Sequence, residues 1–158
     1  MTTATETLAP RLAIGRELPE TYRAMEALSS TLGEVDQTLH DLITIRVSQI
    51  NGCAYCIDMH TKDARASGET EQRIYALNAW RETPFFTPRE RAALSLAEAM
   101  TNLNDGHVPD GIYTEAAGHF DAADLSRLIW WIAIINLWNR IAITTRAVPG
   151  TYRSRRQS

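Results

Sequence analysis

The stretch Gln49-Ile50-Asn51-Gly52-Cys53-Ala54-Tyr55-Cys56-Ile57-Asp58-Met59-His60 holds both cysteines of the chain. Asn51-Gly52 is a chain-breaking pair. The residues after it carry apolar positions at spacings of three and four, which predicts a helix opening at Cys53. At about 100° per residue, Cys56 then lies roughly 60° from Cys53 around the axis and His60 roughly 20°. All three project from one face, and Cys56 and His60 stand one turn apart, within reach of a thiol–imidazole hydrogen bond. A helix N-terminus carries unpaired N–H groups and partial positive charge, and both favour thiolate over thiol. A neighbouring imidazole can take the thiol proton. A Cys-x-x-Cys pair in a first turn can also close to a disulfide. An attacking thiol, a resolving thiol and a base thus share a face.

Other chemistries use the same residue types. Haem attachment needs histidine directly after the second cysteine, and Ile57 stands there. Zinc could take Cys53, Cys56 and His60, but a structural site wants four ligands and there is no second Cys-x-x-Cys. His40, His107 and His119 could help only from a distance. Two small residues three apart can also be inert core. Redox chemistry is the reading preferred among these.

Working outward, the chain reads as helices throughout. Pro19 suits a first helical turn, and Leu18, Tyr22, Met25, Leu28 and Leu32 form a stripe that Gly33 can end. Asp36 can cap a helix carrying Leu39, Leu42, Ile43, Val47 and Ile50. The helix from Cys53 is expected to reach about Ser67, before Gly68. Thr70 can cap the next, to about Trp80. Thr87-Pro88-Arg89-Glu90 combines an N-cap, a first-turn proline and a capping-box glutamate. That helix carries Ala93, Leu96, Ala97, Met100 and Leu103, and stops at Asn104-Asp105-Gly106. A short helix follows Pro109. Asp121 caps a long final helix to about Ala147, and its middle, Leu128 to Ile135, is apolar all round. Such a helix is buried on every side, which in a domain this small favours packing against another subunit.

The 158 residues fit one domain, with an arm at 1–16, a helical body at 17–150 and a basic tail at 151–158. Hydrophobic residues make up 44% and charged residues 22%, which excludes disorder for the body. The formal net charge of −3 leaves no basic field to hold nucleic acid or an anionic membrane. The tail arginines Arg153, Arg155 and Arg156 are read as solvated. Two cysteines are too few for a disulfide-built secreted scaffold. The N-terminal residues lack a signal-peptide pattern, so a cytoplasmic setting is expected. The longest unbroken apolar run is far short of the roughly 20 residues of a membrane span.

The stretch Asp41 to His60 resembles the AhpD-like alkylhydroperoxidase branch of the carboxymuconolactone decarboxylase family. The likeness continues through Ala64, Trp80-Arg81-Glu82-Thr83, Phe86 to Ala93, Glu98 to Thr101 and Trp138-Asn139-Arg140. It implies an all-α bundle with the Cys-x-x-Cys at the start of a central helix and a long apolar last helix. It further implies assembly into trimers or hexamers and reduction of hydroperoxides. By this resemblance Cys56 is the peroxide-attacking thiol and Cys53 its resolving partner. His60 and the acid twelve residues before the first cysteine form a proton relay. That acid is Asp41, one methylene shorter than the family's usual glutamate. Tyr55 stands where the best-known member has a histidine. A lipoyl or thioredoxin-like dithiol would be the reductant, with no cofactor and no metal.

Plainer roles compete elsewhere. Glu90 has a sufficient role as a cap. Glu98, Asn139 and Arg140 lie in apolar helices, where a paired polar network accounts for them. Trp80, Trp130, Trp131 and Trp138 read as core and interface anchors, and His107 as a solvated loop residue. Two alternatives to a peroxidase remain: a helical oligomer that senses redox state through the same disulfide, and lactone decarboxylation. The second ranks low because the decarboxylase branch generally lacks this cysteine pair.

Overall fold

Leu39, Leu42, Ile43, Ile45 and Val47 give the central helix α3 (Gln37–Asn51) a broad apolar face, more than half its circumference, and all are buried. A face that broad needs more than one neighbour to cover it. Here α3 packs against α4 (Ala54–Ala66), α6 (Pro88–Thr101) and α8 (Ala122–Thr145). The computed structural model describes residues 9–33 and 36–156, and among them no strand occurs. The remaining elements are α1 (Ile14–Glu17), α2 (Pro19–Ser30), α5 (Glu71–Ala76), a 3₁₀ stretch at Leu77–Glu82, and α7 (Asp110–His119). The protein is all-α, as the resemblance implies.

The capping signals act where the sequence places them. The Asp36 carboxylate accepts from Leu39 N, the Thr70 hydroxyl from Arg73 N and the Asp121 carboxylate from Asp124 N. Thr87 and Glu90 form a reciprocal capping box. Each cap satisfies an N–H that has no partner within the helix.

Three elements depart from expectation. The helix begun at Glu71 does not run on to Trp80; it tightens at Leu77 and kinks at Ala79 (φ −122°, ψ 33°). Tertiary hydrogen bonds hold this turn. The Arg91 guanidinium donates to the carbonyls of Trp80, Arg81 and Thr83, and the Trp80 indole N–H to Glu98. Helix α6 stops at Thr101, leaving Leu103 exposed outside it. Residues 14–16 of the expected arm form a helical turn with Glu17, and Arg11 N donates to Thr145 O; residues 1–8 lie outside the described part.

At 24 residues, α8 is long and apolar enough by length and composition to cross a membrane, although no single apolar run in it is. It packs on α3, α4, α6 and α7, with Leu128, Ile132 and Ile135 in the core. It also carries Asn136, Asn139 and Arg140, which form polar networks. Its other side is not covered by the described residues: Trp130 and Leu137 are exposed. Helix α2 has no buried residue and rests at the edge of the bundle, with the Tyr22 ring edge-on to Trp138 at 5.3 Å.

Candidate active site

Gly52 ends α3 in the left-handed region (φ 69°), where glycine pays no Cβ penalty. The chain reverses there, and α3 and α4 pack side by side. Asn51 pins the turn, donating to the side-chain oxygens of both Asn136 and Asn139 of α8 at 2.9 Å. Asn139 is fully buried and donates in turn to Ser48 Oγ at 3.0 Å. The paired polar network expected around Asn139 and Arg140 therefore holds the cysteine turn in place.

Cys53 is the N-cap of α4 rather than its first helical residue, and its Sγ accepts from Cys56 N at 3.3 Å. Both cysteines are buried and joined in a disulfide, with Cα atoms 5.3 Å apart. Cys56 lies on the wall of a cavity of about 460 Å³. Tyr22, Met59, Trp131, Ile134, Ile135 and Trp138 make most of that wall apolar. His60, His40, Tyr55, Thr44, Gln37 and Glu26 supply its polar positions. Helix α2 contributes Tyr22, Glu26 and Ser29 to the cavity wall, and α8 contributes Trp131, Ile134, Ile135, Trp138 and Ala142.

His60 shares the cavity with Cys56, as the spacing predicts. Burial, with a smaller effect from neighbouring His40, lowers its pKa to about 4, so the ring is neutral near pH 7. Its Nδ1 is buried with no hydrogen-bond partner among the described residues. Asp41 lies in the buried face of α3, but its carboxylate is bonded to groups other than His60. Oδ1 accepts from Gln37 Nε2 at 2.9 Å and faces His40 Nδ1 at 3.4 Å. Both oxygens accept from Arg156 Nη1, at 2.8 and 2.7 Å. Burial alone would raise the Asp41 pKa. The hydrogen bonds from His40 and Arg156 more than offset it and hold the carboxyl below its ordinary value.

Arg153 and Arg155 of the basic tail are exposed, as expected, but Arg156 is not left to solvent, because the segment before it is fastened to α4. Gly150 N donates to Asp58, Lys62 Nζ to Tyr152 O, and Tyr152 Oη to both oxygens of Asp63 at 2.9 and 3.0 Å. Burial and the Asp63 carboxylate push the Tyr152 hydroxyl up to about 12, so it stays a donor. These contacts lay residues 150–156 along α4 and bring Arg156 onto Asp41. A buried carboxylate recruits a cation, and a non-helical segment far along the chain gives no periodic signal that it will supply one. His40, read from the sequence only as a distant helper to a metal, lines the same cavity as Cys56 and His60. Its place beside Asp41 in the sequence gave no sign of this, since consecutive helical side chains point about 100° apart. Among the described residues, no group of three His, Cys, Asp or Glu is arranged to hold a metal.

The sequence and the fold have relatives. The profile of the carboxymuconolactone decarboxylase family matches residues 18–99. The uncharacterized protein YdfG of Bacillus subtilis (strain 168) is 52% identical over 109 residues, covering 69% of this chain and 74% of that one. A solved structure from Agrobacterium tumefaciens, of unknown function and described as a candidate antioxidant defence protein AhpD, superposes with a TM-score of 0.85. It is 35% identical and covers 91% of this chain and 100% of its own. The debrominase Bmp8 has the same fold (TM-score 0.72, 87% of this chain and 74% of that one) at 19% identity. Family profile and superposition agree: the chain belongs to the carboxymuconolactone decarboxylase family, in its AhpD-like branch.

Proposed function

We propose that this protein is a thiol peroxidase that reduces organic or hydrogen peroxide through Cys56 and Cys53. The observation that carries the reading is the disulfide at the start of α4, with Cys56 on the wall of a largely apolar cavity. In the reduced protein the Cys56 thiolate attacks the terminal oxygen of a hydroperoxide and becomes a sulfenic acid. The Cys53 thiol then displaces water from it, restoring the disulfide. An external dithiol of the lipoyl or thioredoxin type reduces that bond by exchange. His60 and Asp41 are the acid–base residues that the resemblance names. A cytoplasmic, antioxidant role fits, because the cycle needs a compartment that keeps dithiols reduced. The uncovered apolar side of α8 supports assembly with further copies of the chain into a trimer or hexamer.

The test is peroxide turnover with a dithiol reductant. Wild type is expected to react far faster than a free thiol, and Cys56→Ser to lose turnover. Wild-type turnover retained in Cys56→Ser would sink the mechanism. One observation favours the second reading, redox sensing: His60 has no hydrogen bond to Asp41. A wild-type rate no faster than a free thiol, with the disulfide still forming reversibly, would select it.

A further inference from the structure

The cavity holds a second histidine, and it is the better-oriented of the two. His40 Nδ1 faces a carboxylate oxygen of Asp41 at 3.4 Å, and Asp41 is 1% exposed. A carboxylate only accepts, so Nδ1 is the donor toward Asp41 and the other ring nitrogen, Nε2, is the one left to exchange a proton; Gln37 Nε2 lies 3.5 Å from the same Nδ1 but makes its shorter bond, 2.9 Å, to Asp41 Oδ1. Arg156 and Gln37 fix the carboxylate from its other sides. The imidazole is also held edge-on against Trp131, with centroids 5.2 Å apart, and lies 6.3 Å from the His60 ring. His40 and Cys56 line the same cavity. His60, by contrast, makes no hydrogen bond to a carboxylate among the described residues, and its buried Nδ1 has no partner there.

We propose that His40 is a catalytic residue of this site, carrying a proton from the Cys56 thiol to the alkoxide that leaves the hydroperoxide. The inference rests on the peroxidase reading and assigns its proton carrier. His40 Nε2 takes the Cys56 proton, and the thiolate attacks the terminal peroxide oxygen. The S–O bond forms as the O–O bond breaks, giving Cys56 sulfenic acid and an alkoxide. His40 returns the proton to the alkoxide, which departs as the alcohol. Cys53 then condenses with the sulfenic acid, and its own proton leaves in the water released. Cys56 is oxidised, the peroxide is reduced by two electrons, and His40 ends as it began. Asp41 is a positioning residue in this scheme, and it keeps the imidazolium formed in transit beside a negative charge.

The experiment follows sulfenic acid formation in single turnovers of the reduced protein in mildly alkaline solution. Wild type and His40→Gln are compared with two oxidants, tert-butyl hydroperoxide and peracetic acid. The first expels a basic alkoxide that needs a proton; the second expels acetate, which does not. His40→Gln is expected to lower the tert-butyl hydroperoxide rate about 100-fold, the scale of general acid–base catalysis, and the peracetic acid rate far less. Equal losses with both oxidants would reduce His40 to a packing residue and overturn the proposal, as would no loss with either. A wild-type rate at the free-thiol level would instead remove the peroxidase reading itself, and this inference with it. The His40 tautomer, read by nitrogen-15 NMR of the wild-type protein, needs no variant to fold. A proton on Nδ1 is expected, and a proton on Nε2 with Nδ1 bare would overturn the assignment.

Discussion

His60 is an imidazole that the folded chain keeps uncharged. Burial sets its pKa near 4, against an ordinary value of 6.5. Between those values the unfolded chain binds the proton and the folded chain does not, so stability rises with pH across that window. It is complete above about pH 6.5 and falls as the pH drops toward 4, by about 3 kcal/mol for a shift of this size. His60→Gln removes the titrating group and is expected to flatten that part of the curve. Urea unfolding of both proteins at a series of pH values measures it; parallel curves would refute the account. The spacing of Cys53, Cys56 and His60 was legible because all three lie on one helix, where geometry follows from residue count. The bonding of Asp41 was not. Its partner Arg156 comes from a non-helical segment 115 residues away, beyond the reach of any local pattern.

At the scale of elements, caps were legible and the network behind them was not. Asp36, Thr70, Thr87 and Asp121 bond to residues three positions on, so the sequence alone specifies them. The kink at Ala79 comes from Arg91, which local helix signals cannot weigh. The joint between α3 and α4 combines both kinds of information. Gly52 is a sequence signal, while the triad of Asn51, Asn136 and Asn139 exists only after folding. A Cβ placed on Gly52 meets nothing within 4 Å, so substitution there exerts backbone strain alone. Gly52→Ala is expected to cost about 1–2 kcal/mol, which lowers the Tm by about 3–6 °C in a domain of this size. Gly52→Asn should cost less, because asparagine tolerates the left-handed region. Thermal denaturation of the two variants checks the order; equal Tm values would show that the turn relaxes into another conformation.

For the whole molecule, the expectation that α8 is buried on all sides describes one chain only in part. Its core face fills the bundle, while Trp130 is 52% exposed and Leu137 40%. These two lie seven residues apart, nearly in line along the helix. Covering an apolar stripe of this kind favours self-association. Trp130→Glu places a charge in that stripe and is expected to shift the protein to smaller species in sedimentation velocity, with helical content unchanged. A wild type that sediments as a monomer would oppose the subunit interface.

Lys62 is the only lysine in the sequence. It sits on α4 with its ammonium bonded to Asp58 and to the carbonyl of Tyr152, where the segment after α8 is fastened down. Its ε-amine is therefore a natural chemical reporter. Acylation needs the neutral amine free of both partners, so labelling is slow while the segment is seated and quickens when it lifts. The same contact that carries Arg156 toward Asp41 thus gives amine-directed footprinting one internal position to read.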